Sequence, residues 1–340
     1  MSFRLGNFSR GGTAPFTGLL VGDTVVALAN LVPPLRERGL SLRGVESLLT
    51  LLEHWADNFA ALSKAPIENL PAFSIDELQA HAPYVPRQTF CTIANYRSHL
   101  VDTVRDAALT PALGEPDSAE CLQRAAALIE ERLRNPPYVC FKLPTTVIGP
   151  TDPLEIPRHA QRADWELELG VIIGRAGRRI ARDEAMTYVA GYTLVNDVTV
   201  RELVARPDLP RLGSDWLQSK NAPGFLPMGP YVVPAAFVRD PYATRLTLRV
   251  NGAVMQNELA SDMLFDIAAQ IEYISQHAQL LPGDLICTGT PAGCGTRYKR
   301  FLRPGDVIEA MAPGFGTQRT TCVAEPGGRS GKLGANSSGV

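Results

Sequence analysis

Glu166 and Glu168 stand two residues apart in Asp164-Trp165-Glu166-Leu167-Glu168-Leu169-Gly170-Val171-Ile172-Ile173-Gly174. The run reads as a β-strand, in which residues i and i+2 share a face. Its second half is the continuous apolar sequence of a buried strand. Two acids leading into such a strand need a counter-charge, because clustered carboxylates otherwise repel and shift toward protonation. A third acid, Asp197, lies in another β-branched run, residues 192–198. Taken singly, the acids also fit a solvated strand edge and a turn; the flanking Gly170-to-Gly174 and Val195-Asn196 sequence is unlike exposed surface and favours a metal. Glu166, Glu168 and Asp197 therefore predict a divalent-cation site. Oxygen-only ligands select a hard ion, Mg²⁺ first, with Mn²⁺ or Ca²⁺ as alternatives.

His99 comes next, in Asn95-Tyr96-Arg97-Ser98-His99-Leu100-Val101-Asp102. It has a carboxylate, Asp102, three residues on, a spacing that His54 shares with Asp57. On a helix these positions are neighbours, so Asp102 can orient the imidazole and raise its basicity toward a bound water. An ordinary surface His–Asp pair has the same spacing. Lys220 follows a Pro-rich stretch, and nothing in its local spacing marks it. Cys287-Thr288-Gly289-Thr290-Pro291-Ala292-Gly293-Cys294-Gly295 reads either as a turn presenting N–H groups to an anion or as a plain tight turn.

Three zones must position these residues. Residues 1–85 read as a small N-terminal domain, with a hairpin around Gly22-Asp23, a helix carrying Val45, Leu48, Leu49, Leu52, Trp55, Phe59 and Leu62, and a capping box at Ser74-Ile75-Asp76-Glu77. Pro83 and Pro86 mark the boundary. Residues 86–324 read as the strand-rich catalytic part. Asn251-Gly252 predicts a type I′ hairpin, and the Pro-Gly-Asp turns at 282–284 and 304–306 each lead into a strand. Leu264, Ile267, Ile271 and Ile274 line one face of a helix between the hairpin and the first of these turns. With 27 prolines and 29 glycines, the chain suits a curled β-structure better than alternating βαβ units. Residues 97–118 read as a lid carrying His99 and Asp102, and residues 325–340 as a disordered tail.

A formal net charge of −2 over 340 residues leaves no electrostatic footprint for nucleic acid or an anionic membrane. There is no spanning apolar run, no secretion signal at the start and no dinucleotide-binding or Walker fingerprint. The six cysteines lack CxxC spacing and read as buried thiols of a reduced, cytoplasmic compartment.

Taken in chain order, the blocks resemble the fumarylacetoacetate hydrolase family over about residues 88–323. They are 95–102, Phe141-Lys142-Leu143-Pro144-Thr145-Thr146-Val147-Ile148-Gly149-Pro150, 164–169, Gly191-Tyr192-Thr193-Leu194-Val195-Asn196-Asp197-Val198-Thr199-Val200-Arg201, 288–293 and Leu302-Arg303-Pro304-Gly305-Asp306. The resemblance implies an α+β, β-rich fold: a mixed β-roll or barrel catalytic domain, usually dimeric, behind a smaller N-terminal α+β domain. It implies Mg²⁺- or Mn²⁺-dependent action on small 2-oxo or 1,3-dioxo acids. Matched position by position, Glu166, Glu168 and Asp197 are the metal ligands and His99 the catalytic histidine, with Asp102 where smaller members have glutamate. Lys220 matches the lysine that stabilises or protonates the carbanion, Arg201 an oxyanion-side arginine, and Thr290 a residue binding the substrate carboxylate. Cys91-Thr92-Ile93-Ala94 stands where the name-giving hydrolases carry a further aspartate, and Val204 where they carry glutamine. Both departures point to the acylpyruvate hydrolase-like branch. The expected reaction is hydrolysis of a carbon–carbon bond in an acylpyruvate or fumarylpyruvate. A decarboxylase or tautomerase of an acid such as oxaloacetate is the alternative, and a non-catalytic dioxo-acid-binding protein the remote one.

Overall fold

The computed structural model describes residues 1–106, 118–209, 211 and 213–327. It is mixed and β-rich. The N-terminal sheet has five strands in the order Ala72–Ser74, Thr24–Ala27, Phe16–Val21, Arg4–Ser9, Gln79–His81. The hairpin around Gly22-Asp23 forms as the sequence predicts. The helix expected over residues 45–62 is instead two, Leu48–Leu52 and Trp55–Leu62. Asn58 explains the break: its side-chain amide donates to the carbonyls of Leu51 (2.8 Å) and Arg43 (2.9 Å), a buried polar insertion that apolar spacing does not reveal. Ser74 precedes a single 3₁₀ turn and makes no side-chain capping bond.

The sheet that carries the site has six strands in the order Val233–Pro234, Val189–Asn196, Leu167–Ile173, Leu285–Cys287, Thr89–Ile93, Tyr138–Lys142. Leu167–Ile173 and Val189–Asn196 are antiparallel and buried at every position, as their unbroken apolar character demands. Leu285–Cys287 enters parallel to Thr89–Ile93, so segments nearly 200 residues apart become neighbours. A second sheet, in the order Ala253–Leu259, Arg245–Val250, Val307–Ala312, Gly316–Ala324, Leu154–Ile156, packs its apolar face into the same core. Its Asn251-Gly252 turn has φ of 51° and 81°, as a type I′ hairpin requires. Both Pro-Gly-Asp turns lead into strands. The 264–274 periodicity becomes the helix Ile267–His277.

The two parts share a core. Phe3, Leu5, Leu19 and Val26 pack in one buried cluster with Ile172, Val195, Met228 and Leu285, and Leu5 bridges to Val232. Of the expected lid, the helix Arg97–Arg105 is described, while residues 107–117 lie outside the described residues, as do 328–340 of the expected tail. Among the described residues no helix is long and apolar enough to cross a membrane.

Candidate metal centre and active site

The pairing of Leu167 with Asn196 brings the ends of two buried strands together and sets Glu166 beside Asp197. The Glu166 N–H donates to the Asn196 side-chain oxygen (2.8 Å), and the Asp197 N–H to the Glu166 carbonyl (2.8 Å). Carboxylate oxygens of Glu166, Glu168 and Asp197 lie within 4.8 Å of one another, and all three residues are buried. Ligands on one small hard cation sit about 3 to 4 Å apart, so modest side-chain rotation closes the set.

The surrounding charges are arranged for such an ion. Lys220, at the end of the helix Trp216–Lys220, donates from Nζ to Glu166 Oε2 (2.7 Å), Asp197 Oδ2 (2.7 Å) and Thr199 Oγ1 (2.8 Å). Arg201 donates from Nε to Asp164 Oδ2 (2.8 Å) and pairs through Nη1 with Glu166 Oε1 (2.6 Å); its Nη2 is buried with no hydrogen-bond partner among the described residues. Burial alone would raise the Glu166 carboxyl, but Lys220 and then Arg201 outweigh it and lower it. Glu168 goes the other way: burial, then Asp197 and Glu166, push it well above the carboxylate range, and among the described residues only the Gly289 N–H (2.7 Å) donates to it directly. Among the described residues Glu168 has no cationic side chain as a direct partner, and an all-oxygen donor set of that kind fits a hard divalent cation.

Lys142 is a further charged side chain at the acid cluster that spacing did not single out. Its buried Nζ faces Asp197 Oδ1 at 2.9 Å and donates to the carbonyls of Lys220 (2.6 Å), Phe225 (2.7 Å) and Val198 (3.2 Å). The contact to Asp197 Oδ1 is an ion pair without hydrogen-bond alignment. Its only prior signal was membership of the 141–150 block.

His99 is held by its helix. Asp262 accepts from the Ser98 N–H (2.8 Å) at the N-terminus, where an anion is favoured, and Asn95 ties the preceding loop to Phe265 and Thr288. The ring faces the same cavity of about 170 Å³ as Glu166, Glu168, Arg201, Lys220 and Thr290. Burial holds its pKa down at about 4 against an opposing pull from Glu166, so it is neutral at neutral pH. The expected dyad is not formed in this arrangement. Asp102 accepts from the Gly293 N–H (2.9 Å) and pairs with Arg105 and Arg297 (3.4 Å each), whereas His99 Nδ1 lies 3.8 Å from Cys294 Sγ. On the helix the two side chains diverge because the Gly-rich loop offers Asp102 a backbone donor.

That loop is a built feature. Gly289 has φ +94°, and a Cβ there would meet Asn95 Cβ at 2.8 Å; its N–H is the one that reaches Glu168. The Thr290 hydroxyl donates to the Leu167 carbonyl (2.9 Å) and accepts from Gln256 (2.9 Å), so its proton is committed to the fold.

The model of the fumarylacetoacetate (FAA) hydrolase C-terminal family matches residues 88–323, more than half of the chain. A 2,4-didehydro-3-deoxy-L-rhamnonate hydrolase of Sphingomonas sp. (strain SKA58) is 39% identical over 196 residues, covering 56% of this chain and 67% of that one. A mitochondrial oxaloacetate tautomerase of Bos taurus is 31% identical over 267 residues, covering 78% and 76%. Among solved structures, a fumarylacetoacetate hydrolase from Exiguobacterium antarcticum is similar with a TM-score of 0.72 at 26% identity, covering 95% of this chain and all of that one.

Proposed function

Since the chain belongs to the fumarylacetoacetate hydrolase family, we propose that it is a divalent-metal-dependent hydrolase that cleaves a carbon–carbon bond in a small 1,3-dioxo acid of the acylpyruvate or fumarylpyruvate type. The observation that carries this reading is a cluster of three buried acids, two of which, Glu166 and Glu168, line one cavity with a neutral imidazole and an arginine whose buried Nη2 has no partner among the described residues. Glu166, Glu168 and Asp197 would hold Mg²⁺ or Mn²⁺, which when bound supplies Lewis-acid polarisation of a chelated 2-oxo acid.

The chain's own residues do the rest. Arg201 Nη2 is the donor left over for a developing oxyanion, and its other nitrogens are fixed by Asp164 and Glu166, so it needs no reorganisation. Lys220 contributes fixed positive charge: burial would lower its pKa, but Asp197 and Glu166 hold it well above the usual range. All three of its N–H bonds are engaged, so protonation of the departing carbanion by Lys220 requires release of one of them. His99, neutral at neutral pH, takes the proton of an attacking water. Thr290 lines the cavity, and donating to the substrate carboxylate would require its hydroxyl proton to leave the Leu167 carbonyl. The same reading carries a mixed β-roll for residues 86–324, a homodimer and a cytoplasmic location.

A second reading, a metal-dependent tautomerase or decarboxylase, is favoured by one observation: Asp102 is engaged by Gly293 and the arginines and not by His99. Turnover of acylpyruvates, fumarylpyruvate and oxaloacetate with Mg²⁺ or Mn²⁺, followed as loss or shift of the enol absorbance, decides between them. His99→Ala should reduce carbon–carbon hydrolysis by about 10²-fold or more, the scale of general-base catalysis. Oxaloacetate turnover surviving that substitution, with no hydrolysis in the wild type, would establish the second reading.

A further inference from the structure

We propose that Arg162 is the specificity-determining residue of this site and that it selects 2-oxo acids carrying a second, distal carboxylate; this rests on the metal-chelate reading above.

Arg162 lines the same cavity as Glu166, Arg201 and His99. Its backbone is pinned on both sides. The Glu202 carboxylate accepts from the N–H groups of Gln161 (2.6 Å) and Arg162 (3.1 and 3.2 Å), and the Arg162 carbonyl accepts from the Arg201 N–H (3.1 Å). The side chain is oriented too. Its guanidinium lies over the Phe301 ring, 4.9 Å from the centroid, and donates from Nη2 to Asp106 Oδ2 (3.1 Å). Nε and Nη1 make no hydrogen bond to the described residues, and the side chain is 26% exposed. Part of a planar fork, the geometry that suits a carboxylate, is thus left over in a side chain already held in place.

The contrast with the other cavity cations gives this its meaning. Arg201 is neutralised by Asp164 and Glu166, and Lys220 by Glu166 and Asp197, so both belong to the acid cluster. Arg162 touches none of those acids. Apolar side chains, Ile93, Ala94, Val204 and Trp216, line the same cavity beside Thr92, Thr103 and Thr296. Arg162 and Glu166 are four residues apart, at most about 13 Å between Cα atoms at roughly 3.3 Å per residue. A short acid and an arginine side chain bridge that span together. A substrate chelated at one end would run along the cavity and present its far end to Arg162.

The bland alternative is that Arg162 only latches the His99 helix through Asp106. Calorimetry on Mg²⁺-loaded protein separates the two with oxalate, 2-oxoglutarate and 2-oxopentanoate, the last two differing in the distal carboxylate. Wild type should bind 2-oxoglutarate about tenfold or more tighter than 2-oxopentanoate, as a charge-assisted pair implies. Arg162→Met should bring that ratio to within about twofold of unity while oxalate affinity stays put, and Arg162→Lys should fall between. A wild-type ratio near one overturns the proposal without any variant. Equal weakening of all three probes in Arg162→Met makes the residue a latch and overturns it as well. Failure of oxalate to bind wild type with Mg²⁺ removes the chelate reading itself, and is distinguishable because no probe then binds.

Discussion

Lys142 and Asp197 form an ion pair whose partners are both withdrawn from water, and there the loss of one charge is costly. Lys142→Met would strand three carbonyls and one face of Asp197. We expect about 3 to 5 kcal/mol of lost stability, read from the urea midpoint, together with loss of the thermal shift that Mg²⁺ produces. A variant as stable as wild type would refute the assigned role. The sequence announced the acids but not this lysine. Acids before a buried strand are visible because charge next to unbroken apolar sequence is a local contradiction. Whether Lys142 turns inward depends on carbonyls 56, 78 and 83 residues away. The same limit explains Asp102: i, i+3 spacing brings two side chains near each other, but a competing N–H from Gly293, 191 residues on, takes the carboxylate.

Among the elements, the strand Leu285–Cys287 is entered through Asp284, whose Oδ2 accepts from Leu281 N–H and Gln88 Nε2 (2.7 Å each) while Oδ1 is buried with no partner among the described residues. Burial pushes its carboxyl up to about 6, above the value of 3.8 it has when exposed. A folded-state pKa above the unfolded one gives a contribution that is full below about pH 4 and lost as the pH rises through 6. Asp284→Asn removes that dependence and keeps an oxygen for the two donors. The variant should therefore gain on wild type between pH 4 and pH 8, by up to roughly 3 kcal/mol at about 1.4 kcal/mol per unit. Parallel melting curves at the two pH values measure it; a difference that does not change with pH would count against the buried, strained carboxyl. Elements with local signatures were legible: the Asn251-Gly252 hairpin, the Pro-Gly-Asp turns and the two buried strands. The 45–62 helix was not, because Asn58 breaks it by a contact that apolar periodicity cannot register.

Over the whole molecule, the division at Pro83 and Pro86 coincides with the start of the family match at residue 88, yet the two sides bury a common apolar cluster. Removing residues 1–85 would uncover Ile172, Met228, Val232 and Leu285 at once. The 86–324 fragment should be insoluble or bind a hydrophobic dye strongly; soluble, metal-binding fragment would mean that the first part is an independent appendage. Strand order was beyond sequence reading, since nothing local tells Leu285–Cys287 to insert beside Leu167–Ile173. One consequence concerns mutational coupling. The Lys142 ammonium gathers carbonyls from the turn after Asp197, from the end of the Trp216–Lys220 helix and from the loop at Phe225. Substitutions that disturb these separate segments all act through the same nitrogen, so their effects should be strongly non-additive, the second change costing far less than it would alone.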